Sequence, residues 1–571
     1  MDAPVTQSQV TTQWKSIGTV VGTTGTAEFT FVLSAWQATL GDVVAVHTEI
    51  PVQGTSGRRE ICVWARVVEI SRFNPFFPYE AGQEIANAGV ALVDTVLSNS
   101  RDQLEARALI LGASEVDEFS ALRPLTYPVK PASHVYYPPA NAVKALLVGQ
   151  LRQETALKVG TLIARSDVDV HISGDKLASR HMAILAMTGG GKTVSARRII
   201  RELARLHYPM LILDPHGDYI GLWKCQDFLH ESKVKLFYPS VTLVSDGEDV
   251  IFQLISQMTA GMTEPQNEFL SGLVAANPCD DGDTALEYIR GLLEDVDTFT
   301  PPGGRNVHPG TRGAIRRALR IVMTRLERME KSNARMRETL SGFEFSALPN
   351  AKAQPDEIVR PGQISVIYLG GYDHITQCSI AAITLETLFE HRANLSEKIP
   401  PFQTVIEEAH TFIPSAREGT ADAVSLPIVR RMITEGRKFG TGLLLISQRP
   451  SRLDETTVSQ CNSFLIMRLV NPRDQNFVRQ IMENLTEADA KMIPGFGPGQ
   501  GIVSGQVVRF PLAVRIQQDD ELKGAEIGDE DFVARARSWK PDAGAKSRSE
   551  SRKRFEAISR AVDQRKGSGK S

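Results

Sequence analysis

The sequence predicts an α/β fold: a parallel sheet flanked by helices around a phosphate-binding loop, with a small β-barrel before it and a helical insertion within it. Three observations carry this. AMTGGGKT, Ala186 to Thr193, follows the apolar run HMAILAM and precedes VSARRIIRELARL, whose apolar residues recur at helical spacing. FQTVI, Phe402 to Ile406, is apolar apart from Gln403 and Thr404 and ends in two acids, Glu407 and Glu408. From about 160 to 516 strand-like and helix-like segments alternate, as they do when crossover helices join parallel strands. The chain divides into an N-terminal segment (1–14), a barrel (15–130), a core (131–251 and 341–516), an insertion (252–340) and a polar, partly disordered tail (517–571).

The N-terminus, MDAPVTQSQVTTQWKS, is polar and lacks the apolar centre of a signal peptide. IGTVVGTTGTAEFTFVL, DVVAVHTEI and REICVWARVVEIS are β-branched and aromatic-rich runs separated by turn residues, which predicts short strands closing a barrel. A Pro-dotted connector, VYYPPANAV, follows.

The phosphate loop comes next. Gly189, Gly190 and Gly191 carry no Cβ, so the backbone can fold tightly and aim N–H groups at phosphate oxygens. Lys192 adds positive charge near the β- and γ-phosphates. Thr193 offers its hydroxyl to Mg²⁺ at a helix start, where the dipole also favours anions. Ala186 stands where such loops usually begin with Gly. ILDPHGDY then brings Asp214, His216 and Asp218 to the end of a second strand, where open α/β sheets bind ligands. With no second His or Cys nearby, His216 is expected to be a hydrogen-bonding residue rather than a metal ligand.

The insertion contains TRGAIRRALRIVMTRLERMEKSNARMR, in which Ile315, Leu319, Val322, Leu326 and Met329 form an apolar stripe. Arg316, Arg317, Arg320, Arg325, Arg328 and Lys331 crowd the other faces. The bland reading is a solvated face; the sharper one is a contact to DNA phosphates or to an adjoining subunit.

Adjacent carboxylates at a strand end point to opposite faces and take different roles. Glu407 is assigned to the Mg²⁺ shell and Glu408 to the water that attacks the γ-phosphate. GTGLLLISQRP is another buried strand, and Gln448 at its end can hydrogen-bond the γ-phosphate or the water. An arginine usually stabilises charge on the transferring phosphoryl group. Arg437 in EGRKFG and Arg180 in ASRHMAIL are the leading candidates, ahead of Arg430 and Arg431. The tail carries KSRSESRKRF and ends in GSGKS, which no helix can follow.

Composition narrows the function class. The 571 residues carry a net charge of −3, so any DNA-binding surface must be a local basic one. The five cysteines, Cys62, Cys225, Cys279, Cys378 and Cys461, lack metal-ligand spacing, and their odd number argues against a disulfide framework. A reducing cytoplasm fits, and no run is apolar and long enough to span a membrane. No NKxD-type guanine motif is present, which favours ATP over GTP.

SRHMAILAMTGGGKT, LDPHGDY, VIEEAHTFIP, EGRKFGTGLLLISQRPS and SQCN, in this order, resemble the HerA family of the HerA–FtsK branch of additional-strand P-loop ATPases. IGTV and GDVVAV resemble the HAS-barrel of that family. The resemblance covers about residues 15 to 515. It implies a RecA-like core with an N-terminal HAS-barrel. It implies a homohexamer that threads double-stranded DNA using ATP, in a prokaryotic cytoplasm and away from membranes. It also implies a partner effector, such as a NurA-like nuclease or a sirtuin-type NADase, in DNA end processing or antiphage (antiviral) defence. Carried over by position, Gly189 to Val194 hold the phosphates, and Arg180, Gly501 and Ile502 resemble further nucleotide contacts. Glu408 matches the catalytic acid and Arg437 an arginine near the subunit boundary, while Glu407 replaces the commoner Asp. A ring scaffold that uses ATP to assemble and gate an effector, with little unwinding of its own, is the alternative to a motor.

Overall fold

Six strands rich in β-branched and aromatic residues build the N-terminal barrel: β1 (Lys15–Val21), β2 (Glu28–Leu33), β3 (Val43–Pro51), β4 (Arg58–Phe73), β5 (Gln103–Ser114) and β6 (His134–Tyr137). All pair antiparallel and close in the order β1-β2-β5-β4-β3-β6. The closing strand β6 lies beyond residue 130, so the barrel runs to Tyr137 rather than ending where the sequence suggested. Ile17, Phe29, Phe31, Val44, Val63 and Val135 fill its interior. Alternate residues of β3 and β4, Val43, Ala45, Cys62 and Trp64, face outward and pack into the core of the larger domain. Burial on both faces explains why these strands read as nearly continuous apolar runs. Arg66 on β4 extends this contact through a buried ion pair with Asp489, 2.9 Å long.

The computed structural model describes residues 14–34, 37–51, 57–78, 82–87, 102–149, 151–244, 248–259, 262–301, 307–394, 398–416, 423–482, 485–525 and 536–537. The basic run 546–555 and the terminal GSGKS lie outside these residues.

The second sheet has twelve strands. They are β7 (Ala156–Leu162), β8 (Asp169–Ser173), β9 (His181–Leu185), β10 (Met210–Asp214), β11 (Lys233–Tyr238), β12 (Phe345–Ala347), β13 (Gln363–Tyr368), β14 (Phe402–Ile406), β15 (Thr441–Ser447), β16 (Ser463–Met467), β17 (Gln500–Gly505) and β18 (Leu512–Ile516). Their order is β12-β11-β13-β10-β14-β15-β9-β16-β17-β18-β7-β8. The first eight are parallel, and in the six inner ones, β13, β10, β14, β15, β9 and β16, every central residue is buried because helices cover both faces. β17, β18, β7 and β8 are antiparallel. Their connections at 163–168 and 506–511 are too short to hold a crossover helix. β15 lies between β9, which leads into the phosphate loop, and β14, which ends in the two acids. That is the additional strand of the ATPase class the sequence resembles.

Helices Lys192–Arg205 and Ala140–Val148 cover one face, and helices His374–Ala393 and Leu426–Phe439 the other. The insertion joins β11 to β12 and contains helices Glu248–Met258, Glu264–Ala276, Ala285–Asp295 and Pro309–Thr339 among the described residues. Residues 517–525, expected to begin the loose tail, are docked instead. Asp519 pairs with Arg198 at 2.7 Å and with Arg201 at 2.8 Å, and Leu522 is buried. No helix among the described residues is long and apolar enough to cross a membrane.

Candidate functional site

The chain leaves β9 at Leu185 and turns at once. Ala186 N–H donates to Ser447 O (3.2 Å), Met187 N–H to Arg468 O (2.9 Å), and Gly190 N–H to Met187 O (3.0 Å). The loop is thereby anchored to the ends of both strands flanking β9. Gly189 (φ +76°) and Gly191 (φ +101°) lie in the left-handed region that a side chain disfavours. Gly191 has a second reason to lack a Cβ, since one would stand 2.8 Å from Gly499 N. Ala186 is fully buried and outside that backbone region, so glycine is not required there. Lys192 and Thr193 open the helix Lys192–Arg205, with Ser195 Oγ donating to Gly191 O at 2.9 Å. This leaves helix N-terminal N–H groups and a lysine facing the loop's concavity.

Both acids at the end of β14 come to this loop. Glu407 is fully buried and accepts a 2.6 Å hydrogen bond from the Tyr219 hydroxyl on Oε2, while Oε1 has no protein partner. Burial raises its pKa to about 8; the nearby Glu408 and Asp218 charges push the same way, against the Tyr219 bond and Lys192. An orphaned buried carboxylate oxygen held at raised pKa is the environment a cation relieves, so this donor set fits a divalent metal. Glu408 is 4% exposed and held at φ +46°, a conformation costing a non-glycine residue about 1–3 kcal/mol and concentrated at functional sites. Burial raises its pKa, but the His410 hydrogen bond, the Lys192 and His410 charges and the Gln448 N–H together outweigh it and hold the carboxyl below its ordinary range. His410 Nδ1 is 3.2 Å from Glu408 Oε2 and 3.3 Å from Ser447 Oγ. Two neighbouring carboxylates pushed in opposite directions are a signature of divided roles.

Gln448 follows β15. Its Oε1 accepts from Thr188 Oγ1 at 2.5 Å, and its N–H approaches Glu408 Oε2 at a long 3.5 Å. It therefore bridges the phosphate loop and the less basic acid. Asp214, at the end of β10, accepts from the N–H groups of His216, Gly217, Asp218 and Tyr219 at 2.7 to 3.3 Å. Burial, only partly offset by these bonds, lifts its pKa to about 6. That carboxylate shapes the turn which delivers Tyr219 to Glu407, while His216 is exposed.

Gly501 and Ile502 lie on β17, opposite Met467 and Ile466 of β16. The Ile502 side chain is in the core, so only backbone there can face a ligand. The segment reaches the loop through Gly499, whose N–H donates to Gly190 O at 3.1 Å. Arg180 and Arg437 are elsewhere. Arg180 precedes β9, and Arg437 sits in the last turn of the helix before β15, so both lie at the strand starts. The five residues of β9 put about 15 Å between that edge and the loop. They are near enough for their charges to interact: burial, and then the Arg437 charge, depress the Arg180 pKa. Arg430 is bound to Asp454 and Arg431 to Glu435.

Tyr219, His410, Thr188 and Gly499 were not singled out by sequence reasoning. The first two stood inside motifs noted for their acids. Thr188 and Gly499 have no signal beyond being near Gly-rich turns.

Residues 157–388 match the family model described as "Helicase HerA, central domain". The chain is 28% identical to the DNA double-strand break repair helicase HerA of Pyrococcus furiosus, over 76% of this chain and 81% of that one. It is 26% identical to a probable helicase of Methanocaldococcus jannaschii, over 90% of this chain and 97% of that one. Among solved structures, VirB4 of Thermoanaerobacter pseudethanolicus aligns with a TM-score of 0.43 at 14% identity, over 65% of this chain and 99% of that one.

Proposed function

We propose, from the premise that this chain belongs to the HerA family, that it is an ATP-driven motor which translocates on double-stranded DNA as a hexameric ring. The observation that carries this reading is the divided pair of carboxylates beside the phosphate loop. Glu408, kept ionised at neutral pH, orients the attacking water and accepts its proton. His410 and the Gln448 N–H fix that carboxylate in place. Lys192 and the loop N–H groups hold the β- and γ-phosphates of ATP. Thr193 and Glu407 would hold Mg²⁺, which supplies charge neutralisation on the phosphates when bound. Gln448, tied to both the loop and Glu408, senses whether the γ-phosphate is present.

The ring is supported by the arginine pair. Neither has a carboxylate partner among the described residues, and both reach solvent at one end of the sheet, where an anion from outside the chain can meet them. A neighbouring copy, presenting its nucleotide to this edge, supplies one, and repetition of that head-to-tail contact closes a ring. On this reading the motor serves DNA end processing or antiphage defence with a partner nuclease or other effector. The scaffold alternative draws on one feature: Arg66 of the barrel is ion-paired to Asp489, ten residues before the Gly499 that touches the loop.

Hydrolysis measured with and without a blunt-ended DNA duplex tests the proposal. DNA should stimulate turnover, and Glu408→Gln should bind ATP yet turn over at least about 100-fold more slowly. Near-normal turnover in Glu408→Gln would overturn the role assignment. Hydrolysis indifferent to DNA, together with activation of the neighbouring gene's product by ATP-loaded Glu408→Gln protein, would favour the scaffold.

A further inference from the structure

The insertion's long helix, Pro309–Thr339, separates its charges in a way the sequence alone did not show. Its apolar residues Ile315, Leu319, Val322, Leu326, Met329 and Met336 are buried along one side. Three of its arginines are consumed within the chain. Arg312 donates to the carbonyls of Val296, Asp297 and Phe299; Arg316 is ion-paired with Asp297; Arg325 is ion-paired with Asp373. Arg317, Arg320, Arg328, Lys331 and Arg335 are different. All five are exposed, and none has a carboxylate partner among the described residues. At 100° per residue they fall within a sector of roughly 80°, diametrically opposite the buried stripe, and span about 27 Å of helix. Glu327 at the rim is engaged by Arg290, and Glu338 marks the C-terminal end.

This stripe forms one wall of a groove. The other wall is the turn from Gly371 to Thr376, which follows β13 at the strand-end edge where the phosphate loop also lies. The wider and more open part has a volume of about 570 Å³ and is lined by Arg320, Arg328 and Ile321 among others.

We propose that this basic stripe grips the phosphate backbone of duplex DNA, and so forms part of the path along which the motor moves; the proposal rests on the reading of the chain as a DNA translocase. The chemistry favours phosphates over a protein partner. The stripe carries cations without Asn or Gln to read base edges, which suits sequence-independent contact. Only two large aliphatics are exposed in the groove, Ile321 (45%) and Ile375 (36%), too little for the apolar centre of a stable protein interface. The whole chain has a net charge of −3, so these five cations are a local concentration rather than a share of a basic surface.

The test is the salt dependence of binding to a blunt-ended duplex by the full chain. Replacing all five residues with Gln should weaken binding and lower the slope of log K against log salt by about 4.5, since each neutralised phosphate contributes about 0.9. The pairs Arg317→Gln/Arg320→Gln and Lys331→Gln/Arg335→Gln should each lower it by about 2. Hydrolysis without DNA and assembly should not change, and Arg316→Gln, a residue already bound to Asp297, should leave the slope alone. If the unsubstituted chain binds the duplex and the five-fold variant binds with the same slope, the stripe is not the path, although the motor reading stands. An unchanged slope with altered assembly would assign the stripe to a second copy, and with lost binding of a partner to an acidic protein; both overturn the proposal. If the unsubstituted chain neither binds duplex nor responds to it, the translocase reading itself fails.

Discussion

Tyr219 and Glu407 share a 2.6 Å hydrogen bond in which both side chains are fully buried. A phenol so placed does more than fill space. It satisfies one oxygen of a carboxylate whose other oxygen is free, and so fixes which oxygen faces the loop. Hydrogen bonds to a charged group contribute about 1.5–3 kcal/mol, and one tenfold step in rate corresponds to about 1.4 kcal/mol. Tyr219→Phe should therefore lower kcat by about tenfold while leaving ATP affinity close to normal, and should raise the Mg²⁺ concentration needed for half-maximal ATP binding. A purely structural role would lower thermal stability without splitting kcat from KM. That split, read in steady-state kinetics beside a metal titration of nucleotide binding, decides the matter. His410 acts similarly on Glu408, but through a charge-assisted contact to an acid already held in a strained backbone conformation.

Elements were legible in the sequence to the extent that their signals are local. The phosphate loop was readable because Gly189 and Gly191 meet a backbone demand that only glycine meets easily, and because Lys192 opens a helix at once. β14 was readable because a five-residue apolar strand ending in two acids has few alternatives. β6 was not: its four residues carry no alternation, and only its pairing with β1 and β3 makes it a strand. The antiparallel strands β17, β18 and β7 look like parallel ones in composition, since most of their residues are buried, and the hairpin directions of β17–β18 and β7–β8 are set by short connections. The site's partners were hidden for the same reason. Tyr219 and Glu407 are 188 residues apart in sequence, and Thr188 and Gln448 are 260 apart. The barrel–core tie is another such non-local contact, and it has a measurable consequence. Arg66 and Asp489 are both nearly inaccessible, and Arg66 also donates to Pro511 O at 3.3 Å. Removing one member of a buried pair strands the other charge, at a cost of about 3–5 kcal/mol. Asp489→Ala should destabilise the chain by that amount in denaturant titration. An Arg66→Met/Asp489→Leu double variant should recover most of it, because a hydrophobic pair leaves no orphaned charge. Additive losses in the double variant would mean that the tie acts through packing instead.

At the scale of the whole molecule, the geometry of a single copy leaves two incomplete edges that complement each other. One edge, at the strand ends, has the phosphate loop and the divided carboxylates. The other, at the strand starts, has Arg180 and Arg437, about 15 Å from their own loop. Phosphoryl transfer gains from an arginine supplied to the transferring group, and one given by a neighbour makes hydrolysis depend on assembly. The prediction follows from that complementarity. Lys192→Ala copies have a defective loop and a sound arginine edge; Arg437→Ala copies have the reverse. Each alone should be nearly inactive. Mixed at equal ratio, about one contact in four would join a sound loop to a sound arginine in a head-to-tail ring, so hydrolysis should reappear at a fraction of the unsubstituted rate. Repeating the mixture with Arg180→Ala in place of Arg437→Ala shows which of the two reaches the phosphate. If neither mixture recovers activity while both parents still assemble, no arginine crosses the boundary, and the pair at the strand starts must answer to some anion other than a neighbour's nucleotide.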